Sequence, residues 1–108
     1  MKRRKNLKVS FVRKGHNLFV IDIEYIVEMD AVAPHLDAHM EFIAKGFDAG
    51  VFLASGPKVP RTGGVIVAQG TTRQAIETLM SEDPFSKAGI INLNVTEFIG
   101  RNLADVLR

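Results

Sequence analysis

The sequence predicts an α+β domain in which a four-stranded antiparallel sheet is covered on one side by two helices. Three observations predict it. Apolar residues alternate from Phe19 and again from Ile91, and a helical period runs after Pro34 and again after Thr71. Between the helices lie two short apolar runs separated by a turn-rich stretch. In chain order this is βαββαβ, the ferredoxin-like arrangement. At 108 residues the chain has room for one domain and one core.

The first strand has two unlike faces. Phe19, Ile21, Ile23, Tyr25 and Val27 point one way, and Val20, Asp22, Glu24 and Ile26 the other. Pro34 suits a first helical turn, and the helix it opens runs to about Ala49, where Gly50 ends it. At about 100° per residue, Val32, Leu36, Met40, Ile43 and Phe47 form its apolar stripe, opposite Asp37, Glu41, Lys45 and Asp48. Val51 to Ser55 reads as the second strand, stopped by Gly56-Pro57, and Gly64 to Ala68 as the third. Thr71 with Gln74 resembles a capping box for a second helix, whose stripe of Ala75, Ile76, Leu79 and Met80 ends before Pro84. Ile91, Leu93 and Val95 mark the fourth strand, and residues 99–108 form a tail with a helical turn or two.

The formal charge of +2 conceals an asymmetry. Residues 1–17 hold seven basic and no acidic residues, leaving seven basic against twelve acidic residues beyond them. This basic N-terminal extension has only Phe11 as an aromatic, so it lacks stacking platforms, and nucleic-acid binding is not expected. A short strand over residues 8–12 is the most it would add. The apolar stretch from Leu18 to Val27 is broken by Asp22 and Glu24, which supports neither a signal peptide nor a membrane span. A cytoplasmic location is expected. The absence of cysteine excludes disulfides, thiolate metal sites and cysteine nucleophiles.

Few residues remain that could carry chemistry. His39 lies about 60° from Leu36, at the edge of the apolar stripe, where an imidazole is neither plainly buried nor plainly solvated. Asp83 closes the second helix, beside the negative end of its dipole, and so calls for a compensating partner. Pro84 cannot continue that helix, which holds the carboxylate at a defined exit point. A carboxylate beside a histidine fixes its tautomer, as a general base requires. His35 and His39 have the spacing that lets two imidazoles face one metal, but two ligands do not make a site and no H-E-x-x-H pattern is present, so no metal is expected. Asp22 and Glu24 read as polar edge or interface contacts. Ser55 lacks a nucleophile-elbow pattern, and Gly63-Gly64 lacks the lysine and helix of a phosphate loop.

Three runs carry more than periodicity: Ala54-Ser55-Gly56-Pro57, Thr62-Gly63-Gly64-Val65-Ile66, and Asp83-Pro84-Phe85-Ser86-Lys87-Ala88-Gly89. In this order and spacing they closely resemble the YCII-related (YciI-like) family of the dimeric α/β-barrel superfamily, over residues 18–98. The resemblance implies a ferredoxin-like domain that pairs into a homodimer. It implies a His-Asp dyad of His39 and Asp83 in a cleft near the dimer interface, with Ser55, Gly56, Pro57, Pro84 and Phe85 as substrate-binding residues. The chain departs from the pattern in one respect. Many relatives carry an arginine shortly before the histidine, and here His35 and Leu36 stand in that region.

The function expected is therefore proton transfer on a small molecule without a cofactor. The resemblance adds a reaction class, isomerisation or elimination, with lactones or chlorinated hydroxy-aromatics as substrate types. A non-catalytic metabolite-binding or accessory module is the alternative. The mixed second face of the sheet predicts that a second subunit closes over it.

Overall fold

The structure, a computed structural model, describes residues 11–108. Four strands, β1 (Asn17–Tyr25), β2 (Phe52–Pro57), β3 (Gly63–Gly70) and β4 (Ile91–Phe98), form one antiparallel sheet in the order β2-β3-β1-β4. Helices α1 (Met29–Val32) and α2 (Leu36–Asp48) connect β1 to β2, and α3 (Arg73–Met80) and α4 (Pro84–Lys87) connect β3 to β4. This is the ferredoxin-like sheet expected from the element order.

The core lies between the sheet and its helices. Ile21 stands opposite Ile66 on β3 and Val95 on β4, and with Phe19 and Ile23 it packs against Ile43, Ile76 and Met80. Each such side chain, fully buried, contributes roughly 1.5–3 kcal/mol. Alternation sends the neighbouring residues to the other face. There Val20 stands beside Val67 and Thr96, and Asp22 beside Val65 and Asn94. Among the described residues, no helix covers that face.

The described parts of the two chain ends cover one end of the open face. Leu18 is buried there, so close to Gly100 that a Cβ on that glycine would lie 2.9 Å from it and 3.1 Å from Leu103. Gln69 is 1% exposed and fully satisfied. Its amide donates to the carbonyls of Phe11 and Gly50 (2.9 Å for the latter), and its oxygen accepts the Arg13 N–H at 2.7 Å and His16 Nδ1–H at 2.9 Å. Val12 donates its N–H to the Leu107 carbonyl, and Arg13 reaches the Ala49 carbonyl. The part of the basic segment from Val12 onward is thus docked on the domain. The short strand expected over residues 8–12 falls mostly outside the described residues.

The structure corrects the helix readings in three places. The helix expected from Pro34 begins two residues later: Pro34 lies in a 3₁₀ turn, Ala33–His35, that joins the short α1 before it to α2, which starts at Leu36. Pro34 has no N–H to donate and its ring crowds the preceding turn, which favours the tighter local winding. The inward stripe of α2 is Leu36, His39, Ile43 and Gly46, whereas Met40 is 56% and Phe47 41% exposed. Gly46 explains the rotation, because a Cβ on it would lie 2.1 Å from the ring of Phe52. The bare backbone lets the helix settle on that ring, and turning this side inward also turns His39 inward. The third correction is a cap. Thr72, not Thr71, opens α3, accepting the Ala75 N–H at 3.0 Å, and no reciprocal glutamine completes a box. The tail forms a single 3₁₀ turn, Asp105–Leu107.

Candidate active site

Asp83 sits between two helices, and its backbone serves both. Its N–H donates to the Met80 carbonyl at the end of α3, while its own carbonyl accepts the Lys87 N–H of α4. Sequence reasoning placed the carboxylate at the unfavourable end of α3. The structure places it as the N-cap of α4, in extended conformation, with Oδ1 accepting the Phe85 N–H at 3.0 Å. A negative charge is favoured at that end of a helix.

The rest of the motif encodes the same turn. Pro84 occupies the first helical position, where a missing N–H costs nothing. Gly89, at φ +69°, ends the turn in the left-handed region. Its N–H donates to the Ser86 carbonyl and that of Ile90 to the Phe85 carbonyl, with Ile90 and Phe85 in one apolar cluster that includes Val32. The run from Asp83 to Ile90 is thus a single helical turn, closed at both ends by its own residues.

This turn delivers a carboxylate and a ring to His39. Asp83 is 0% exposed, and its oxygens lie 2.9 and 3.1 Å from His39 Nδ1. An ionised carboxylate only accepts, so Nδ1 carries the proton and donates it. The Phe85 ring stacks on the imidazole at 3.8 Å between centroids, nearly parallel, and Tyr25 meets Phe85 edge-on at 6.0 Å. These contacts leave Nε2 as the free nitrogen of a ring whose side chain is 12% exposed.

His39 opens onto a cavity of about 240 Å³, walled by α2, the ends of β1 to β3 and Phe85. Ser55, Gly56 and Pro57 line it from β2, while Pro84 lies outside the lining. Ser55 faces the helix side with its partner Ile66, whereas Gly56 and Val65 lie on the open face. A second, shallower hollow on that face shares Ser55, Gly56, Pro57 and Val65. One strand wall therefore separates the two concavities. Gly63 makes it possible, since a Cβ there would lie 1.8 Å from the Ile23 carbonyl oxygen.

Other candidates fall elsewhere. Asp22 forms an ion pair with Lys58, and Glu24 is exposed on the open face. His35 ends the 3₁₀ turn, outside the cavity lining. Among the described residues, no three His, Cys, Asp or Glu side chains cluster as metal ligands would, and no helix is long and apolar enough to cross a membrane. Sequence reasoning missed Tyr25, Met40 and Arg61, which also line the cavity. Met40 was readable as an apolar residue on the stripe, but its place at the cavity wall follows only from the rotation of α2.

A model of the YCII-related domain matches residues 17–99, from the first residue of β1 to just past β4. The chain belongs to the YCII-related family. Among solved structures, the chain is similar to 5-chloro-2-hydroxyhydroquinone dehydrochlorinase from Burkholderia phenoliruptrix AC1100, determined in complex with 2,5-dihydroxybenzoquinone. The two are 20% identical, with a TM-score of 0.54 over 75% of this chain and 92% of that one, a likeness of fold. No functionally curated protein matches the chain. In this YCII-related domain the three sequence motifs have physical meanings: a strand wall, a close approach of β3 to β1, and a self-capped turn that carries Asp83.

Removing the carboxylate tests that turn. Asp83→Ala leaves the Phe85 N–H and His39 Nδ1–H without an acceptor and should destabilise the domain by about 2–4 kcal/mol in urea unfolding. Asp83→Asn keeps one acceptor oxygen and should cost about half as much. Equal losses in the two variants would show that the acceptor is not what holds the turn.

Proposed function

We propose that this YCII-related protein is a small-molecule enzyme that works by proton transfer, with His39 as general base and acid and Asp83 as its positioning partner. One observation carries the reading: a histidine tied through Nδ1 to a fully buried carboxylate, on a side chain that lines a cavity. Asp83 holds the tautomer that leaves a lone pair on Nε2, and offsets the positive charge that forms when Nε2 takes a proton. Phe85, stacked on the ring, limits its rotation. Ser55, Gly56, Pro57 and Phe85 wall the substrate, and Pro84 acts through the turn it starts.

Two outcomes follow from one abstraction. When Nε2 removes a proton from carbon beside a carbonyl, the C–H electron pair enters an enolate. Return of the proton at a different carbon is an isomerisation. Loss of chloride from the adjacent carbon, with the proton passed from the imidazolium to water, is an elimination. The fold likeness to a dehydrochlorinase supports testing the second first. Neither outcome requires a cofactor. A homodimer through the open sheet face belongs to the same reading, because Val20, Val67 and Ala54 form an apolar row there that no helix of the described residues covers. Cytoplasmic location is part of the proposal as well.

A panel of chlorinated hydroxy-aromatics and lactones should give turnover with the wild type. His39→Ala should lower it by about 10²–10⁴-fold, and Asp83→Asn should lower it as well. Equal turnover in all three proteins would remove the pair from the mechanism, and binding without turnover would favour a metabolite-binding module. In light scattering after size exclusion, the wild type should have the mass of a dimer and Val67→Lys that of a monomer. A monomeric wild type would contradict the dimer.

A further inference from the structure

We infer that the cavity takes a small monoanion, a carboxylate or an ionised enol, whose charged group pairs with Arg61. The inference deepens the proposed function and rests on its reading of the cavity as the substrate site. Arg61 lies on the loop between β2 and β3 and is one of the residues that line the cavity. Among the described residues it is, apart from His39, the only one of that lining able to carry a positive charge, and none of them in the lining is acidic. Asp83 lies behind His39, fully buried and engaged by two donors.

The loop carries two cations with different fates. Lys58 is neutralised by Asp22, whereas the Arg61 side chain has no ion pair or hydrogen bond among the described residues. Its backbone is nevertheless held on both sides. Lys58 N–H donates to the Gly63 carbonyl, Thr62 N–H to that of Pro60, and Tyr25 N–H to that of Thr62. The guanidinium thus extends from an anchored loop.

Desolvation makes the charge selective. An anion entering a mostly apolar cavity loses its water and needs a charge-assisted donor in exchange. A guanidinium fork matches two oxygens of a carboxylate or an enolate-ketone pair, which is more than a neutral amide or alcohol can use. The volume of about 240 Å³ is at the small end for ligand cavities, so a ligand that fills it meets both Arg61 and His39. The anion is held by one element and the reacting carbon faces another.

Benzoate and its neutral counterpart benzamide separate charge from shape. They should be titrated into wild type and Arg61→Gln, with the His39 imidazole resonances as the readout. The wild type should bind benzoate about tenfold or more tightly than benzamide, and Arg61→Gln should lose that preference while keeping its affinity for benzamide. If both probes perturb His39 in the wild type with equal affinity, or if Arg61→Gln keeps the preference, the assignment to Arg61 is overturned and the site reading stands. If neither probe perturbs His39, the site reading fails and the inference with it.

Discussion

The burial of one carboxylate governs the arrangement of this domain's candidate site. Asp83 has no contact with water, so its charge must be met inside the protein, and two donors meet it: the Phe85 N–H and His39 Nδ1–H. The first donor is local and comes from the turn that Asp83 itself caps. The second comes from α2, across the helical layer. Satisfying one group therefore joins the two crossover connections of the fold at a single point and orients the imidazole as it does so.

Packing makes that point rigid. Phe85 contacts both the imidazole and Tyr25, and with Val32 and Ile90 it forms an apolar cluster apart from the main core. On the opposite side, the contact of Gly46 with Phe52 sets the rotation of α2 and hence the direction in which His39 points. The cavity is what remains where α2, the sheet end and the capped turn fail to close on one another. Its wall is shared with the open face, so a subunit docked on that face would bear on the cavity through Ser55, Gly56 and Pro57.

Much of this was legible in the sequence, for physical reasons that differ by element. Strand alternation and the β-α-β-β-α-β order identified the sheet because period and burial coincide at Phe19, Ile21 and Ile23. The need of Asp83 for a partner was readable from its place before Pro84, although the helix to which it belongs was assigned in the wrong direction. A carboxylate before Pro can end one helix or cap the next, and only the hydrogen bonds decide. The tilt of the α2 stripe was not readable, because Gly46 acts by having no side chain and a hydropathy pattern counts it as a gap. Arg61 was missed for a related reason: a loop residue has no period, and its approach to the cavity depends on how the hairpin is tied.

The most direct test of the account is the tautomeric state of His39, read from its two imidazole nitrogens by long-range ¹H–¹⁵N correlation in the wild-type protein. A buried acceptor at Asp83 predicts that the neutral ring carries its proton on Nδ1 and leaves Nε2 unprotonated. A neutral ring protonated mainly on Nε2 would contradict the account, because the nitrogen assigned to proton abstraction would have no lone pair to offer.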